Sequence, residues 1–395
     1  METQPEGVGS AARVREGKTV VPLELFYDLV FVFAVTQVSH VLLNDLSWQG
    51  AAQAALAFGV VSWAWNYTVW VTSEVDLDPV PVRLLILAMM LASLVMAVAV
   101  PEAFGRYSLL FVGSYLAIKI GRLLFLTVGG AHADSLGPGR AARLLLWFIV
   151  SGVFWVAGGV ADGPLRIAFW IVALGIDYAG PLLLYRTPGH PPLQFTQWKV
   201  ELTHLAERYE TFVIIALGES IVFIGATVSA RGIEERFVAF ALAFASTACL
   251  YWLYFDGFPR VARHQLALPT GGVKLARDAY MYLHPAIVAG IILSAVGDGL
   301  VIERSRELLD RAQVAVVCAG PAVYLLGHVL FRHRIAGSIS GFRLAGAIAC
   351  VVIGPLGTVV PGRVLSALLV AVLVAVIAGE IATRPGAALR HAAPS

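Results

Sequence analysis

Apolar runs of about 20 residues, the length that spans a bilayer as a helix, follow one another along almost the whole chain. They read roughly 22–43, 51–72, 82–100, 107–128, 143–161 and 165–185, then 205–229, 236–256, 279–301, 312–331, 340–360 and 364–383. Turn-forming residues interrupt them at Asn44-Asp45, Asp78-Pro79, Gly137-Pro138-Gly139, Asp162-Gly163-Pro164 and Thr187-Pro188-Gly189. Such residues break one helix and start the next. Backbone polar groups inside a bilayer must be satisfied internally, which leaves helices as the fitting element for runs of this length. The pattern predicts an all-α fold, a polytopic membrane helix bundle with about twelve transmembrane helices.

Composition agrees. Of 395 residues, 58% are hydrophobic and 14% charged, and the mean hydropathy is +0.79. Soluble domains carry about 25% charged residues. One water-soluble core could not hide so much apolar surface, whereas a bilayer solvates it directly. The net charge of +2 comes from scattered basic residues, with no tract suited to phosphate tracking, so no nucleic-acid partner is expected. Cys249, Cys318 and Cys350 each sit in an apolar run, without metal-binding or CxxC spacing. They read as small core residues, not as disulfide or zinc ligands.

Several function classes lose support. There is no P-loop, HExxH, GxSxG or dinucleotide fingerprint. No cofactor and no metal are expected, and no enzyme motif is present. Gly218-Glu219-Ser220 lies mid-run and is too short for a nucleophile elbow. The chain has no long loops for a large catalytic domain outside the membrane.

Residues 1–20 read as a cytoplasmic tail, because the following run is too long for a signal peptide and contains Glu24 and Asp28. Most basic residues outside the runs, among them Arg13, Arg140, Arg260, Lys274 and Arg332, fall on the side of that tail. Fewer, including Arg304, Arg306 and Arg311, fall opposite. The bias predicts a membrane protein with both termini cytoplasmic.

The chain also repeats. Glu24-Leu25-Phe26-Tyr27-Asp28-Leu29-Val30-Phe31-Val32-Phe33-Ala34 resembles Glu207-Arg208-Tyr209-Glu210-Thr211-Phe212-Val213-Ile214-Ile215-Ala216-Leu217, and Trp65-Asn66-Tyr67 parallels Trp252-Leu253-Tyr254. The division expected is a first six-helix repeat at 21–186, a cytoplasmic connecting loop at 187–203, a second repeat at 204–384 and a tail at 385–395. Six helices is an even number, so both halves share one orientation.

Pro22-Leu23-Glu24 through Ala34 is similar to the signature of the bacterial low temperature requirement A family. So is His204-Leu205-Ala206-Glu207-Arg208-Tyr209, continued by Ala216-Leu217-Gly218-Glu219-Ser220-Ile221. The resemblance covers about residues 20–385. It implies a multi-pass membrane protein associated by name with growth in the cold, and it carries no catalytic site over to this chain.

Ionisable groups inside spans are costly and are functional candidates. Glu24 and Asp28 share a helix face, and Ser39 falls on the same stripe, which suggests one polar track. The seventh run carries Glu207, Arg208, Glu210 and Glu219. Glu219 is the leading candidate, about 16 Å along the axis from Arg208. Lys119 and Arg122 face one side of the fourth run, and contacts Lys119–Asp177 or Arg122–Asp28 are expected. His328 and Tyr324 occupy a corresponding place in the tenth run, and Glu380 lies in the twelfth. Glu24, Asp28, Lys119, Arg122, Asp177, Glu207, Arg208, Glu219 and His328 form the set of ion- or substrate-binding candidates. His204 and His284 read as interface or packing residues. The tryptophans, including Trp48, Trp63, Trp65, Trp70, Trp147 and Trp170, read mostly as interfacial anchors, with ligand stacking an alternative for Trp65 and Trp252.

A secondary transporter or ion-conducting protein fits these features first. An intramembrane lipid-modifying enzyme and a non-catalytic scaffold or sensor are the alternatives. Expected partners are membrane lipids and a small ion or solute; no feature indicates an oligomeric state.

Overall fold

Proline and polar caps start many of the helices. Pro22, Pro81 and Pro164 stand in first turns, where a missing N–H breaks no bond. Ser47, Asp310 and Ser340 accept from backbone N–H groups of the helices they precede. The computed structural model describes residues 20–128, 140–195, 198, 200–256, 258–266 and 272–383. The expected N-terminal tail up to residue 19, the turn at 137–139 and the expected C-terminal tail lie outside them.

The helices are α1 (Pro22–Asn44), α2 (Trp48–Thr72), α3 (Val80–Ala99), α4 (Ser108–Val128), α5 (Arg140–Val160) and α6 (Gly163–Leu182). After the connecting segment come α7 (Leu202–Arg231), α8 (Phe237–Phe255), the short α9 (Phe258–Leu266) and α10 (Gly272–Glu303), with a π-helical stretch at Arg277–Leu283. Then follow α11 (Arg311–Ala336), α12 (Gly341–Ile353, prolonged by a 3-10 turn at Gly354–Thr358) and α13 (Gly362–Ala382). A helix occupies each of the twelve apolar runs, and α9 is additional. Among the described residues, ten helices are long and apolar enough to cross a membrane.

α2 falls outside that group for a physical reason. Every residue of α2 from Val60 to Thr72 is buried, so protein rather than lipid surrounds that stretch and polar side chains are tolerated there. α4 carries Lys119 and Arg122, both buried. Lipid-facing helices look different. On α3, Leu84, Leu87, Leu91, Leu94 and Val98 form an exposed apolar stripe, a surface suited to acyl chains. The chain is a multi-pass membrane protein of the all-α class.

Central placement of α2 also corrects the reading of the tryptophans. Trp63, Trp65, Trp70 and Trp170 are fully buried instead of lying at an interface. Trp63 stacks on Tyr178 with ring centroids 3.8 Å apart. Trp48, at the start of α2, is 93% exposed.

α1 packs on α2 and α3, and α7 packs on α8 and α10. From α3 to α6 and from α10 to α13, each helix packs on the next. α1 and α7 run in the same direction, since Asp28 meets Arg208 and Thr36, further along α1, meets Glu219.

α10 and α11 form the closest seam. Gly290 and Gly297 on α10 face Tyr324 and Val317, while Gly320 and Gly327 on α11 face Ser294 and Ile287. A Cβ at Gly320 would stand 2.5 Å from the Ser294 backbone nitrogen. Small residues let helix backbones approach in this way. Gly320→Ala is therefore expected to destabilise the protein by about 1–3 kcal/mol through overpacking. Gly225→Ala, where a Cβ meets nothing within 4 Å, is the neutral comparison, read by thermal unfolding in detergent.

Candidate functional site

Two acids on one helix face two bases on another. Glu24 and Asp28 are four residues apart on α1, and His204 and Arg208 are four apart on α7, so each pair presents one face. Pro22 starts α1, and Glu24 reaches back to the Val21 N–H at 3.1 Å. The Arg208 guanidinium donates to Asp28 Oδ1 at 2.6 Å and Oδ2 at 3.1 Å, and to Glu24 Oε1 at 2.7 Å. His204 Nε2 lies 2.9 Å from Glu24 Oε2, and its Nδ1 lies 3.1 Å from Ser73 Oγ at the end of α2. Trp65 Nε1 donates to Asp28 Oδ1 at 2.8 Å. Glu24, Asp28, His204 and Arg208 are all buried. With the imidazole protonated the group is neutral; without that proton it carries one negative charge.

A second cluster joins α4, α5 and α6. Lys119 Nζ contacts Asp177 Oδ1 at 2.6 Å and Ser151 Oγ at 2.5 Å. Tyr115 and Trp155 donate to Asp177 Oδ2 at 2.8 and 2.9 Å. A third joins α8, α11, α12 and α13. Arg343 holds both Glu380 oxygens, at 2.8 and 3.0 Å, and also reaches His328 Nδ1 at 2.7 Å and the Leu253 carbonyl at 2.9 Å.

Glu219 differs. It stands midway along α7 and is half-buried. The Thr36 hydroxyl on α1 donates to Oε1 at 2.5 Å, and His40 stands one turn further along α1. Among the described residues no cation forms an ion pair with Glu219. Asp298 on α10 also lacks one; it is enclosed beside Ser246.

The sequence candidates thus fall in separate places. Glu24, Asp28 and Arg208 come together, and Lys119 meets Asp177 as expected. Arg122 does not meet Asp28; its guanidinium lies 4.6 Å over the Tyr67 ring. His328 belongs with Arg343 and Glu380. Glu207 is half-buried and joins no cluster among the described residues. The single polar track is corrected as well. Phe31 and Val35 fill the face between Asp28 and Ser39, and Ser39 bonds back to the Val35 carbonyl.

Sequence reading missed His204, Trp65, Arg343, Tyr115 and Trp155. A signal existed for His204, whose spacing to Arg208 mirrors that of Glu24 to Asp28. His284 is a packing residue, in contact with the Tyr254 hydroxyl at 2.9 Å. Trp65 stacks on Phe212 at 4.2 Å, and Trp252 is half-exposed and donates to Asp256 at 3.0 Å. Among the described residues no group of three or more His, Cys, Asp or Glu side chains could hold a metal ion.

The profile of a family described as "Bacterial low temperature requirement A protein (LtrA)" matches residues 19–378. An uncharacterized protein of Rhizobium meliloti (strain 1021) is 35% identical over 319 residues, 80% of this chain and 77% of that protein.

Removing one partner of a buried pair strands the other charge, at about 3–5 kcal/mol. Lys119→Met is expected to destabilise by about that amount. The double variant Lys119→Met/Asp177→Asn should recover most of it. Unfolding of the four proteins of this cycle in detergent reads the coupling; additive losses would show that the pair is not coupled.

Proposed function

The chain belongs to the bacterial low temperature requirement A family, and from that premise we propose that it is a secondary transporter or ion-conducting protein whose ion site is built on Glu219. One observation carries the reading. Glu24, Asp28, Asp177 and Glu380 are each committed to a buried cation, whereas Glu219 sits mid-helix with a hydroxyl partner, incompletely buried. An intramembrane carboxylate without a cation has a strong reason to bind a proton or a small cation.

Its position supports this. Thr36 and Glu219 belong to α1 and α7, the helices that open the two halves of the chain, and transporters commonly bind their ion between repeats near the midplane. The repeat itself gains support from the polar clusters. Lys119, Ser151 and Asp177 tie the fourth, fifth and sixth helices of the first half; His328, Arg343 and Glu380 tie the corresponding helices of the second. In this reading the protein lies in the cell membrane with both termini cytoplasmic.

A second reading, a membrane scaffold or sensor, is favoured by the closed clusters, whose buried carboxylates and cations are largely used by one another.

Flux separates the two. Purified protein in liposomes is expected to dissipate an imposed proton or monovalent-cation gradient. Glu219→Gln should lower that flux by about tenfold or more, as the loss of an ion-exchanging carboxylate requires. Because no cation is stranded, its stability should stay within about 1 kcal/mol of wild type. Wild-type protein inert toward a broad panel of ions and solutes favours the scaffold.

A further inference from the structure

Arg122 is a buried cation outside the three clusters that, unlike Arg140, Arg166 and Arg277, pairs with no carboxylate among the described residues. It lies on α4 three residues beyond Lys119 and is 4% exposed. Its Nε and Nη1 have no hydrogen-bond partner, and no carboxylate is within ion-pair distance of it among the described residues. Glu74, whose field reaches it, is occupied by Arg140 at 3.0 and 3.1 Å. What Arg122 has is aromatic: the Tyr67 ring at 4.6 Å and the Phe148 ring at 5.9 Å. A guanidinium in this setting keeps its charge, and buried donors left without acceptors cost free energy.

Tyr185 stands beside it. Its hydroxyl is buried within hydrogen-bond reach of the Arg122 guanidinium, so the oxygen can accept from Arg122 while the O–H has no acceptor among the described residues. The backbone that places it is strained. Leu184 and Tyr185 have φ of 51° and 49°, the left-handed region that costs an L-residue about 1–2 kcal/mol. Backbone bonds hold this turn, among them Tyr185 N–H to the Gly180 carbonyl at 2.8 Å and Leu193 N–H to the Leu184 carbonyl at 2.9 Å. The ring packs over Gly180, where a Cβ would stand 2.8 Å from a ring carbon. Strain of this kind persists where surrounding structure over-determines it, commonly at ligand clamps. Trp198 Nε1, also without a hydrogen-bond partner among the described residues, belongs to the ring 6.4 Å from that of Tyr185.

These neighbours offer N–H and O–H groups in excess of acceptors, around a positive charge. We propose that Arg122 and Tyr185, with Trp198 beside them, form a binding site for one oxyanion of the phosphate type. Arg122 supplies the charge and two N–H donors, and the Tyr185 and Trp198 donors complete the set. Arginine suits phosphate because its planar donors match the oxygens and its charge is permanent. The site is distinct from Glu219 and does not depend on the transport reading. Arg122 lies about 9 Å along the axis from the end of α4 at Val128, and Tyr185 follows the end of α6. A lipid headgroup and a dissolved phosphate share the oxyanion chemistry that such a site takes.

Two arms distinguish the sources, both on the full chain. In nanodiscs of zwitterionic lipid, inorganic phosphate is titrated by calorimetry. In detergent, retention of phosphatidylglycerol against phosphatidylcholine is read by native mass spectrometry. One equivalent bound in the first arm identifies a soluble anion, and one in the second a headgroup; either supports the site. Tyr185→Phe keeps the ring packing and should weaken binding by about tenfold, the effect of losing one hydrogen bond to a charged group. Arg122→Gln should abolish it, and Arg83→Gln, at an exposed pair, should leave it unchanged. Should Arg122→Gln fail to fold, Tyr185→Phe still decides. Absence of saturable binding in both arms, or binding equal in wild type and Tyr185→Phe, overturns the proposal and leaves Arg122 as a cation held by aromatic rings alone.

Discussion

Arg208 on α7 lies between Glu24 and Asp28 on α1, and all three are buried. In a membrane interior neither the acids nor the base can be left alone, because each would face hydrocarbon without compensation. The two halves of the chain are therefore held in one register at one end of the bundle. His204 and Trp65 complete the carboxylate hydrogen bonds, so the lock also fixes the end of α2 through Ser73. Further along the same seam the ion pairs stop, and the contact between α1 and α7 becomes Thr36 with Glu219. One helix pair is thus tied by ion pairs at its end and by a hydroxyl–carboxylate contact further along.

Each half is also tied internally. Lys119 with Ser151 and Asp177, and Arg343 with His328 and Glu380, link the last three helices of their halves, and apolar packing does the rest. Where apolar packing is closest, between α10 and α11, it depends on absent side chains: glycines bring the backbones together. Hydrophobic attraction between helices is weak in lipid, so close packing and buried polar contacts supply the specificity. α2 shows the result, a helix sheathed by protein over its second half and rich in aromatic rings that meet others of their kind.

Much of this was legible in the residues. The apolar runs set where helices form, and Asn, Asp, Gly and Pro set where they stop. Acids and bases within the runs named most of the groups that later meet. The Lys119–Asp177 contact followed from charge and helix membership alone. Arg122 with Asp28 failed because the same reasoning cannot tell which way a helix is turned. His204 was passed over as a lone imidazole, although its four-residue spacing to Arg208 marked it. The tryptophans of α2 were misplaced because position along a run says nothing of whether lipid or protein surrounds it.

Sequence by itself determined the helical class, the positions of the long helices and the need for every intramembrane charge to find an answer. Those follow from local rules: a bilayer accepts apolar side chains and rejects unsatisfied polar ones. Tertiary structure decided which answer each charge found. It gave Asp28 a guanidinium, gave Glu219 a hydroxyl, and set Arg122 among rings beside a strained tyrosine. Those outcomes depend on the rotation of each helix about its axis and on which neighbour stands opposite, and no single helix carries that information.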